Sequence, residues 1–254
     1  MTALADGKQD HTRIARGDVG RYVLLPGDPG RCAPIAALFD DPVHVASNRE
    51  YETWTGTLDG VKVSVVSTGI GCPSAAIAVE ELIDAGADTF IRVGTSGAMQ
   101  PGTITGDLAI ITAAIRDEGT TSHYLPIEFP AVAHPAVVDA LAEAARSRGV
   151  RHRLGVSQSK DSFYGEVEPE RMPLAGELED RWAAWVAGGA ISSEMEAAAI
   201  FIISSIHRVR AGGVMRMWMD GTEDTDPQNT ELLGTAVDAL RVLIRDDRSA
   251  RSWP

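Results

Sequence analysis

The sequence predicts a single-domain α/β protein. The chain has 254 residues, which is enough for one large domain. Short apolar runs of strand character alternate with helical segments along most of it, and glycine-containing turns follow the strand ends. This alternation is typical of a mixed α/β domain that binds ligands at the carboxyl ends of its strands.

The first half of the chain supplies five predicted strands and two predicted helices. The strands end at turn signals and cover 22–25, 43–47, 51–58, 61–67 and 89–93. The last of them is predicted to stop at the turn Gly94-Thr95-Ser96-Gly97. The helices cover 31–39 and 74–85, the second with Ser74 as its N-cap and with Glu80, Glu81 and Asp84 on its solvent face.

The second half continues the alternation. Strands are predicted at 107–114, 153–157 and 213–219, and helices at 134–148, 197–208 and 230–245. The polar segment 162–181 is rich in Gly, Pro and Glu and is predicted to be a long functional loop. We expect a flexible N-terminal segment at 1–10, a folded domain at 11–246 and a tail at 247–254.

Composition argues against several classes of partner. A net charge of −13 disfavours binding to nucleic acid or to an anionic membrane surface. No apolar stretch approaches the length of a membrane span, and the first nine residues lack the apolar core of a signal peptide. The two cysteines, Cys32 and Cys72, make neither a disulfide framework nor a metal-ligand cluster. We therefore expect a cytoplasmic protein.

Two carboxylates one residue apart stand directly before an apolar run. Glu194 and Glu196 flank Met195, and the segment from 197 to 203 has the composition of protein interior. Buried carboxylates need partners, and an ionised carboxylate accepts hydrogen bonds, as the hydroxyls of a diol require. Glutamate is also favourable in the first turn of a helix. The local pattern leaves both interpretations open.

Three arginines lie beside turns or strand ends. Arg31 follows the glycine-rich turn 26–30, whose N–H groups and following helix favour an anion. Arg92 lies in an otherwise apolar strand, three residues before Thr95, and Arg49 lies between two strands. A surface or salt-bridged arginine is the simpler interpretation of each alone, but the context they share in an acidic protein favours an anion site.

Five motifs occur in the order known from one family. They are Pro26-Gly27-Asp28-Pro29-Gly30-Arg31, Arg49-Glu50, Ser67-Thr68-Gly69-Ile70-Gly71-Cys72-Pro73-Ser74, Arg92-Val93-Gly94-Thr95-Ser96-Gly97-Ala98 and Glu194-Met195-Glu196. From about His11 to the C-terminal helix, the chain resembles the nucleoside phosphorylase-I family, and within it the uridine phosphorylases. The resemblance implies a three-layer α/β/α sandwich with a mixed, partly barrel-like central sheet. It also implies a homodimer or a hexamer of three dimers that converts a nucleoside and inorganic phosphate to free base and a pentose 1-phosphate, without an organic cofactor.

The same resemblance assigns residues to the parts of a site. The positions that match the phosphate site are Gly27, Arg31, Arg92 and Thr95, with Arg49 reaching in from a neighbouring subunit. The ribose positions are Glu194, Met195 and Glu196, with His11 contacting the sugar 5′-hydroxyl across the same interface. The base positions include Thr95, Ser96, Gly97 and Phe163. Positions that hold a monovalent cation, K⁺, between subunits in some relatives are matched by Glu50, Ile70 and Ser74.

The base pocket departs from the family pattern. Glu166 stands where a glutamine would contact uracil, while Arg171 and Lys160 are the nearby donors to a base oxygen. Asp220 replaces an asparagine and Gly221 an arginine. Since an ionised carboxylate cannot donate to a carbonyl, Glu166 and Asp220 favour a base with more donors, such as a purine or an amino-bearing pyrimidine. The simpler alternative is that Glu166 points to solvent.

Several functions therefore stay open at this point. Uridine is the leading substrate, and a purine nucleoside phosphorylase is the alternative among phosphorolytic enzymes. A hydrolytic nucleosidase would not need the arginines. A nucleoside-binding or sensing protein with an altered pocket is the alternative from a different class.

Overall fold

The computed structural model describes residues 7–226 and 228–251. Residues 1–6 of the predicted N-terminal segment, and 252–254 of the predicted tail, lie outside these described residues. Lys8 forms an isolated β-bridge with Ala15, and the Gln9 N–H donates to the Ile14 carbonyl at 2.8 Å. The chain just before His11 is thus attached to the folded domain.

Ten strands in the described ranges form one mixed sheet. They are β1 (Tyr22–Pro26), β2 (Asp40–Asn48), β3 (Tyr51–Leu58), β4 (Val61–Val66), β5 (Thr89–Ala98), β6 (Leu108–Asp117), β7 (Ala131–Val132), β8 (His152–Lys160), β9 (Ser192–Glu194) and β10 (Arg210–Trp218). The α-helices in the same ranges are α1 (Cys32–Ala36), α2 (Cys72–Ala85), α3 (Pro135–Ser147), α4 (Phe163–Val167), α5 (Ala175–Ala187), α6 (Ala197–His207) and α7 (Thr230–Arg251). Short 3-10 turns cover Pro29–Arg31, Thr120–His123 and Pro169–Arg171. Of the helices described, none is both long and apolar enough to span a membrane.

Part of the sheet closes on itself. Strand β5 pairs with β10, which continues through β6, β8 and β9 back to β5, so that these five strands form a ring. The remaining path runs outward from β5 through β1, β4, β3 and β2, and β7 pairs with β6. Because β5 has partners on both sides and belongs to both parts, its carboxyl end lies where they meet. The prediction of a mixed, partly barrel-like sheet is confirmed.

Helices cover the two faces of this sheet with separate apolar cores. One core contains the buried residues of α2 and α6, and the other those of α1, α3 and α7. Helix α6 is apolar around most of its circumference, and every residue from Ala197 to Ser204 is buried. A helix apolar on all sides is stable only inside the protein. The predicted three-layer arrangement is confirmed.

Two turn assignments were wrong. Gly94 to Gly97 continue β5 up to Ala98, because β10 and β9 supply hydrogen-bonding partners for this part of the strand. Helix α2 begins at Cys72 with Gly71 as its N-cap, so Ser74 is not the cap. The Ser74 hydroxyl instead donates to the Thr68 carbonyl.

Three other segments differ from the sequence-based assignment. The helix predicted at 31–39 ends at Ala36, and β2 already begins at Asp40. The segment 162–181 is not one loop: it contains α4, a 3-10 turn and the first half of α5. Helix α5 has no fully buried residue, which explains its weak apolar pattern. Helix α7 continues past Arg245 to Arg251, into the segment predicted as a tail.

Candidate active site

One cavity of about 960 Å³ opens at the carboxyl ends of β1 and β5. Its walls come from the turn after β1, the turn before α2, the end of β5, helix α4, the segment between β9 and α6, and the end of β10. Among its lining residues are the sequence-predicted Gly27, Arg31, Glu50, Ile70, Arg92, Thr95, Ser96, Gly97, Lys160, Phe163, Glu166, Glu194, Met195 and Glu196. The fold therefore brings together residues that lie up to 202 positions apart, since Gly27 and Asn229 line the same cavity.

The end of the cavity nearest β1 is cationic. A Cβ atom at Gly27 would lie 3.1 Å from the Gly69 carbonyl oxygen and 3.3 Å from Arg92 Nη1, so glycine permits this close packing. Arg31 follows in the 3-10 turn. Burial lowers the pKa of Arg31, and repulsion from Arg92 and Arg216 lowers it further. This crowding of guanidinium groups is the environment that a bound anion would relieve.

Arg92 is buried and already paired. Its Nη2 donates to Glu196 Oε2, its Nη1 donates to the Leu25 carbonyl at 3.4 Å, and its Nε lies 3.8 Å from Glu194 Oε2. The Nε–H has no hydrogen-bond partner among the described residues. A charged residue inside an apolar strand needs a partner, and here a carboxylate supplies one. Arg92 therefore connects the cationic end of the cavity to the two glutamates.

The two glutamates have different environments. The Glu194 carboxylate accepts from the backbone N–H groups of Glu196 at 2.8 Å and Ala197 at 3.0 Å, and from the Ser159 hydroxyl. It therefore satisfies backbone N–H groups at the start of α6, whose N-cap residue is Glu196. Burial raises the pKa of Glu194, and the adjacent Glu196 carboxylate adds to this shift.

Glu196 also lines the cavity. Its Oε1 accepts the Gly71 N–H at 2.7 Å and its Oε2 accepts from Arg92, which leaves further lone pairs for a ligand. The φ of Gly71 is +95°, a backbone conformation that suits glycine and turns this N–H towards Glu196. Neither glutamate lies in the first turn of α6, but Glu194 accepts N–H groups at its start, and Glu196 has the geometry for a hydroxyl ligand.

A third group of side chains lines the end of the cavity nearest α4. Phe163 is about half exposed there, and the Ser96 hydroxyl is buried without a partner among the described residues. Glu166 does not point to bulk solvent, because its Oε2 lies 2.5 Å from Lys160 Nζ and its side chain is 12% exposed. The solvent-facing alternative for Glu166 was wrong.

Two predicted base-binding residues lie outside this lining. Arg171 pairs with Glu168 and packs over the Tyr164 ring at 5.7 Å. Asp220 is exposed on the turn after β10. The chain geometry does not bring either side chain into the cavity, and their roles stay sequence-based predictions.

The residues predicted to act across a subunit interface also lie outside it. Arg49 is exposed on the turn between β2 and β3, with a φ of +54°. His11 Nδ1 lies 2.8 Å from Glu81 Oε1. Glu81 was predicted on the solvent face of α2, but it is 4% exposed because the N-terminal segment covers it. That expectation was wrong.

The predicted cation site receives no support from its geometry. The Ser74 hydroxyl oxygen lies 3.2 Å from Glu50 Oε1, and Ile70 is 78% exposed. Within residues 7–226 and 228–251 there is no group of three or more His, Cys, Asp or Glu side chains that could hold a metal ion. A single carboxylate and a hydroxyl provide few of the six or more oxygens that hard cations prefer.

Five further lining residues were not assigned to the site by the sequence analysis: Val167, Ser193, Arg216, Trp218 and Asn229. Arg216 is 5% exposed, pairs with Asp224, and keeps an Nε–H without a partner among the described residues. It lies on β10 in register with Thr95. An arginine inside the apolar run Val214-Met215-Arg216-Met217-Trp218 is the same signal that identified Arg92, and it would have found Arg216 too.

The cavity thus joins a cationic end, a buried carboxylate with free lone pairs, and a polar end at α4. Such a site defines a class of α/β proteins that bind an anion beside a hydroxyl-bearing small molecule. The model of the Phosphorylase superfamily matches residues 21–244. The chain belongs to this superfamily.

Individual relatives agree with the family assignment. The chain is 50% identical over 244 residues to a uridine phosphorylase of Treponema pallidum, covering 93% of this chain and 95% of the relative. It is 48% identical over 211 residues to a uridine phosphorylase of Thermococcus kodakarensis, covering 82% and 76%. A guanosine phosphorylase of Halorubrum lacusprofundi is 40% identical over 207 residues, covering 82% and 81%.

Proposed function

We propose that the protein catalyses phosphorolysis of a nucleoside, with uridine as a substrate, to give uracil and ribose 1-phosphate. The observation that carries this proposal is that Glu196 pairs with Arg92 and lines one cavity together with Arg31, Lys160 and Glu166. A pentose held at Glu196 has an anion on one side and a base on the other. The similarity to uridine phosphorylases supports uridine.

The reaction follows from these charges. An oxygen of phosphate forms a bond to C1′ of the ribose while the bond from C1′ to the base nitrogen breaks, and the electron pair of that bond leaves with the base. The sugar becomes cationic in the transition state, so the phosphate dianion stabilises it. Arg31 and Arg92 position the phosphate, with Gly27 and Thr95 alongside, and most of the acceleration comes from proximity and electrostatics.

Glu196 has two tasks in this scheme. Its carboxylate accepts from the 2′- and 3′-hydroxyls, and its pairing with Arg92 holds that guanidinium towards the phosphate. Met195, whose carbonyl accepts from the Cys72 thiol at 3.3 Å, packs against the sugar. Glu194 holds Met195 and Glu196 in place, because its carboxylate accepts the N–H groups of Glu196 and Ala197 at the start of α6.

We further propose that the active protein is a homodimer or a hexamer of three dimers, in which Arg49 and His11 reach the neighbouring site. Support comes from their exposure: Arg49 is exposed, and the His11 side chain is 36% exposed. In this proposal inorganic phosphate is the co-substrate and no organic cofactor takes part. The activity would serve nucleoside salvage in the cytoplasm.

Arg31→Met tests the phosphate site. A charged hydrogen bond contributes about 1.5–3 kcal/mol, so the KM for phosphate should rise about 10- to 100-fold, with a much smaller change in the KM for uridine. Initial rates of uracil release at varied phosphate measure both constants. Arg31 is preferable to Arg92 here, because removing Arg92 would leave Glu196 unpaired in the interior.

Arg241→Met provides the matched control. Arg241 is a surface arginine on α7 paired with Asp59 at 2.9 Å, and its loss should leave both constants unchanged. An Arg31→Met protein with wild-type phosphate dependence would remove Arg31 from the site. Uracil release that needs no phosphate would establish a hydrolytic nucleosidase instead, and uridine binding without product would establish a binding protein.

A further inference from the structure

The polar end of the cavity is built around a buried ion pair. Lys160 Nζ lies 2.5 Å from Glu166 Oε2 and donates to the Ser193 hydroxyl oxygen at 2.7 Å. The Ser193 hydroxyl lies within hydrogen-bonding distance of Glu166 Oε2 and, at 2.8 Å, of Gln158 Oε1. Exposures of 7% for Lys160 and 12% for Glu166 show that water stabilises these charges little. The pair is therefore held in one arrangement before any ligand enters.

The arrangement is supported from behind, away from the cavity. Gln158 Nε2 donates to Asp117 Oδ2 at 2.7 Å, and Asp117 pairs with Arg181 of α5. Burial raises the pKa of Asp117. This chain of contacts fixes the orientation of the Gln158 amide, and with it the position of the Ser193 hydroxyl.

Two hydrogen-bonding positions of the pair have no partner among the described residues. Glu166 Oε1 accepts no hydrogen bond within the described part of the chain, and a Cβ atom at Gly97 would lie 3.4 Å from it. Lys160 has three N–H donors, of which two are used by Ser193 and Glu166. The pair, which lines this cavity and a second one of about 440 Å³, therefore offers a ligand one free donor beside one free carboxylate acceptor.

We propose that this pair gives the protein a second activity, phosphorolysis of guanosine, which rests on the phosphorolysis proposed above. Guanine presents a carbonyl oxygen, O6, next to two consecutive donors, N1–H and the 2-amino group. Lys160 donates to O6, and Glu166 Oε1 accepts from the adjacent donors. As the C1′–N9 bond breaks, negative charge spreads onto O6, where the Lys160 ammonium stabilises it.

The same pair ranks the other bases. Uracil offers one donor, N3–H, which lies between two carbonyl oxygens. If Glu166 accepts from N3–H, its carboxylate lies close to these oxygens and is repelled by them. Lys160 can donate to only one of the two oxygens, so the other stays unfavourable. Hypoxanthine keeps O6 and N1–H but lacks the amino group. Adenine and cytosine present an amino group to Lys160 and a ring-nitrogen acceptor to Glu166, so both contacts are mismatched.

The cavity size fits a purine. Its volume of about 960 Å³ is near the upper end of the range of roughly 300–1,000 Å³ typical of small-molecule sites. Phe163 and Trp218 supply aromatic surface in the same cavity. The volume of the cavity therefore does not restrict the site to a pyrimidine. Glu166 selects the base by the hydrogen-bond donors that the base presents.

The test measures kcat/KM with saturating phosphate for guanosine, inosine, uridine, adenosine and cytidine. We expect the wild-type protein to cleave guanosine about tenfold or more faster than inosine, because the 2-amino donor is missing from inosine. Adenosine and cytidine should show no detectable cleavage. In Glu166→Gln, guanosine cleavage should fall about 10- to 100-fold while uridine cleavage is retained or increased, because the amide supplies both a donor and an acceptor.

Glu168→Gln is the matched control, since this neighbouring glutamate is exposed and pairs with Arg171. It should leave the guanosine-to-uridine ratio unchanged. Uridine cleavage by the wild-type protein without guanosine cleavage would overturn this proposal and leave the proposed function standing. A guanosine-to-uridine ratio that is the same in Glu166→Gln as in the wild-type protein would also overturn it. Absence of phosphate-dependent cleavage of every nucleoside would instead overturn the proposed function.

Discussion

Glu194 and Glu196 illustrate how neighbouring residues of one type acquire different roles. Glu194 is the last residue of β9, so its side chain reaches the N–H groups that open α6. Glu196 follows the strand and reaches Arg92 on β5 and Gly71 before α2. Both are about 3% exposed. Their partners, and not their exposure, separate a structural carboxylate from one that can bind a ligand.

Glu196→Gln tests the role of the cavity-facing carboxylate. The variant keeps the shape but loses charge-assisted acceptance from the sugar, so kcat/KM for uridine should fall about 10- to 100-fold. The fall should be smaller for 2′-deoxyuridine, which lacks one of the two hydroxyls. Comparing the two substrates separates ribose contact from general damage, since a purely structural loss would reduce both equally. Glu143→Gln, at an exposed pair with Arg245, serves as the control.

At the scale of elements, the N-terminal segment is fastened to α2 by one buried carboxylate. Glu81 accepts from the backbone N–H groups of His11 at 3.0 Å and Thr12 at 2.7 Å, and from the Thr12 hydroxyl at 2.7 Å. Burial acts to raise the pKa of Glu81, but the hydrogen bonds from Thr12 and His11 outweigh it and lower the pKa. This attachment fixes the position of His11, the residue that is proposed to reach a neighbouring site.

Glu81→Gln should therefore reduce stability in a pH-dependent way. A folded-state pKa below the unfolded value means that Glu81 stabilises the fold above about pH 4.3, and that this contribution is lost as the pH falls through the folded-state pKa. At pH 7 we expect a loss of about 1–3 kcal/mol in the free energy of unfolding, and a smaller difference from wild type near pH 3. Urea unfolding at the two pH values measures it.

Asp84→Asn on the same helix is the control for that measurement. A loss for Glu81→Gln that is the same at pH 7 and at pH 3 would show that the ionised carboxylate is not what holds the segment. Helix periodicity placed Glu81 in solvent because it describes the helix alone and does not include a chain segment that packs on it from 69 residues away.

At the scale of the whole molecule, ring closure creates the site. Strand β5 carries Arg92 and Thr95, β9 leads to Glu196, and β10 carries Arg216 in register with Thr95. Each side chain comes from a distant part of the sequence, and only the pairing of β5 with both β9 and β10 brings them to one cavity. Arg49 and His11 stay outside it, and the proposed function therefore assigns them to the site of a neighbouring copy of the chain.

Mixed oligomers test whether sites are shared. We expect Arg49→Met and Glu196→Gln to be impaired alone, while hetero-oligomers isolated after co-expression with two tags recover activity. Recovery follows because the Arg49→Met subunit keeps an intact Glu196 and receives Arg49 from its neighbour. The measurement is phosphorolysis per site, with sedimentation giving the oligomeric state. Activity of the hetero-oligomer no higher than the mean of the two variants would show that Arg49 does not act across an interface.

The sequence by itself determined the fold class, most of the cavity lining and the order of most strands and helices, but not β7, β9, α4 and α5. Apolar periodicity reports which face of an element is buried, and glycine turns mark strand ends, so these features are local. The motifs containing Arg31, Arg92 and Glu196 are local as well, and their residues do meet in one cavity.

Only the tertiary structure decided how those residues are paired. It assigned Glu194 to a helix start, placed Arg216 in the cavity, directed Glu166 to Lys160, and left Arg171 and Asp220 outside. These outcomes depend on strand register and on contacts between residues far apart in the chain. Local sequence patterns do not contain that information, because the free energy of a buried charge is set by whichever distant group lies opposite to it.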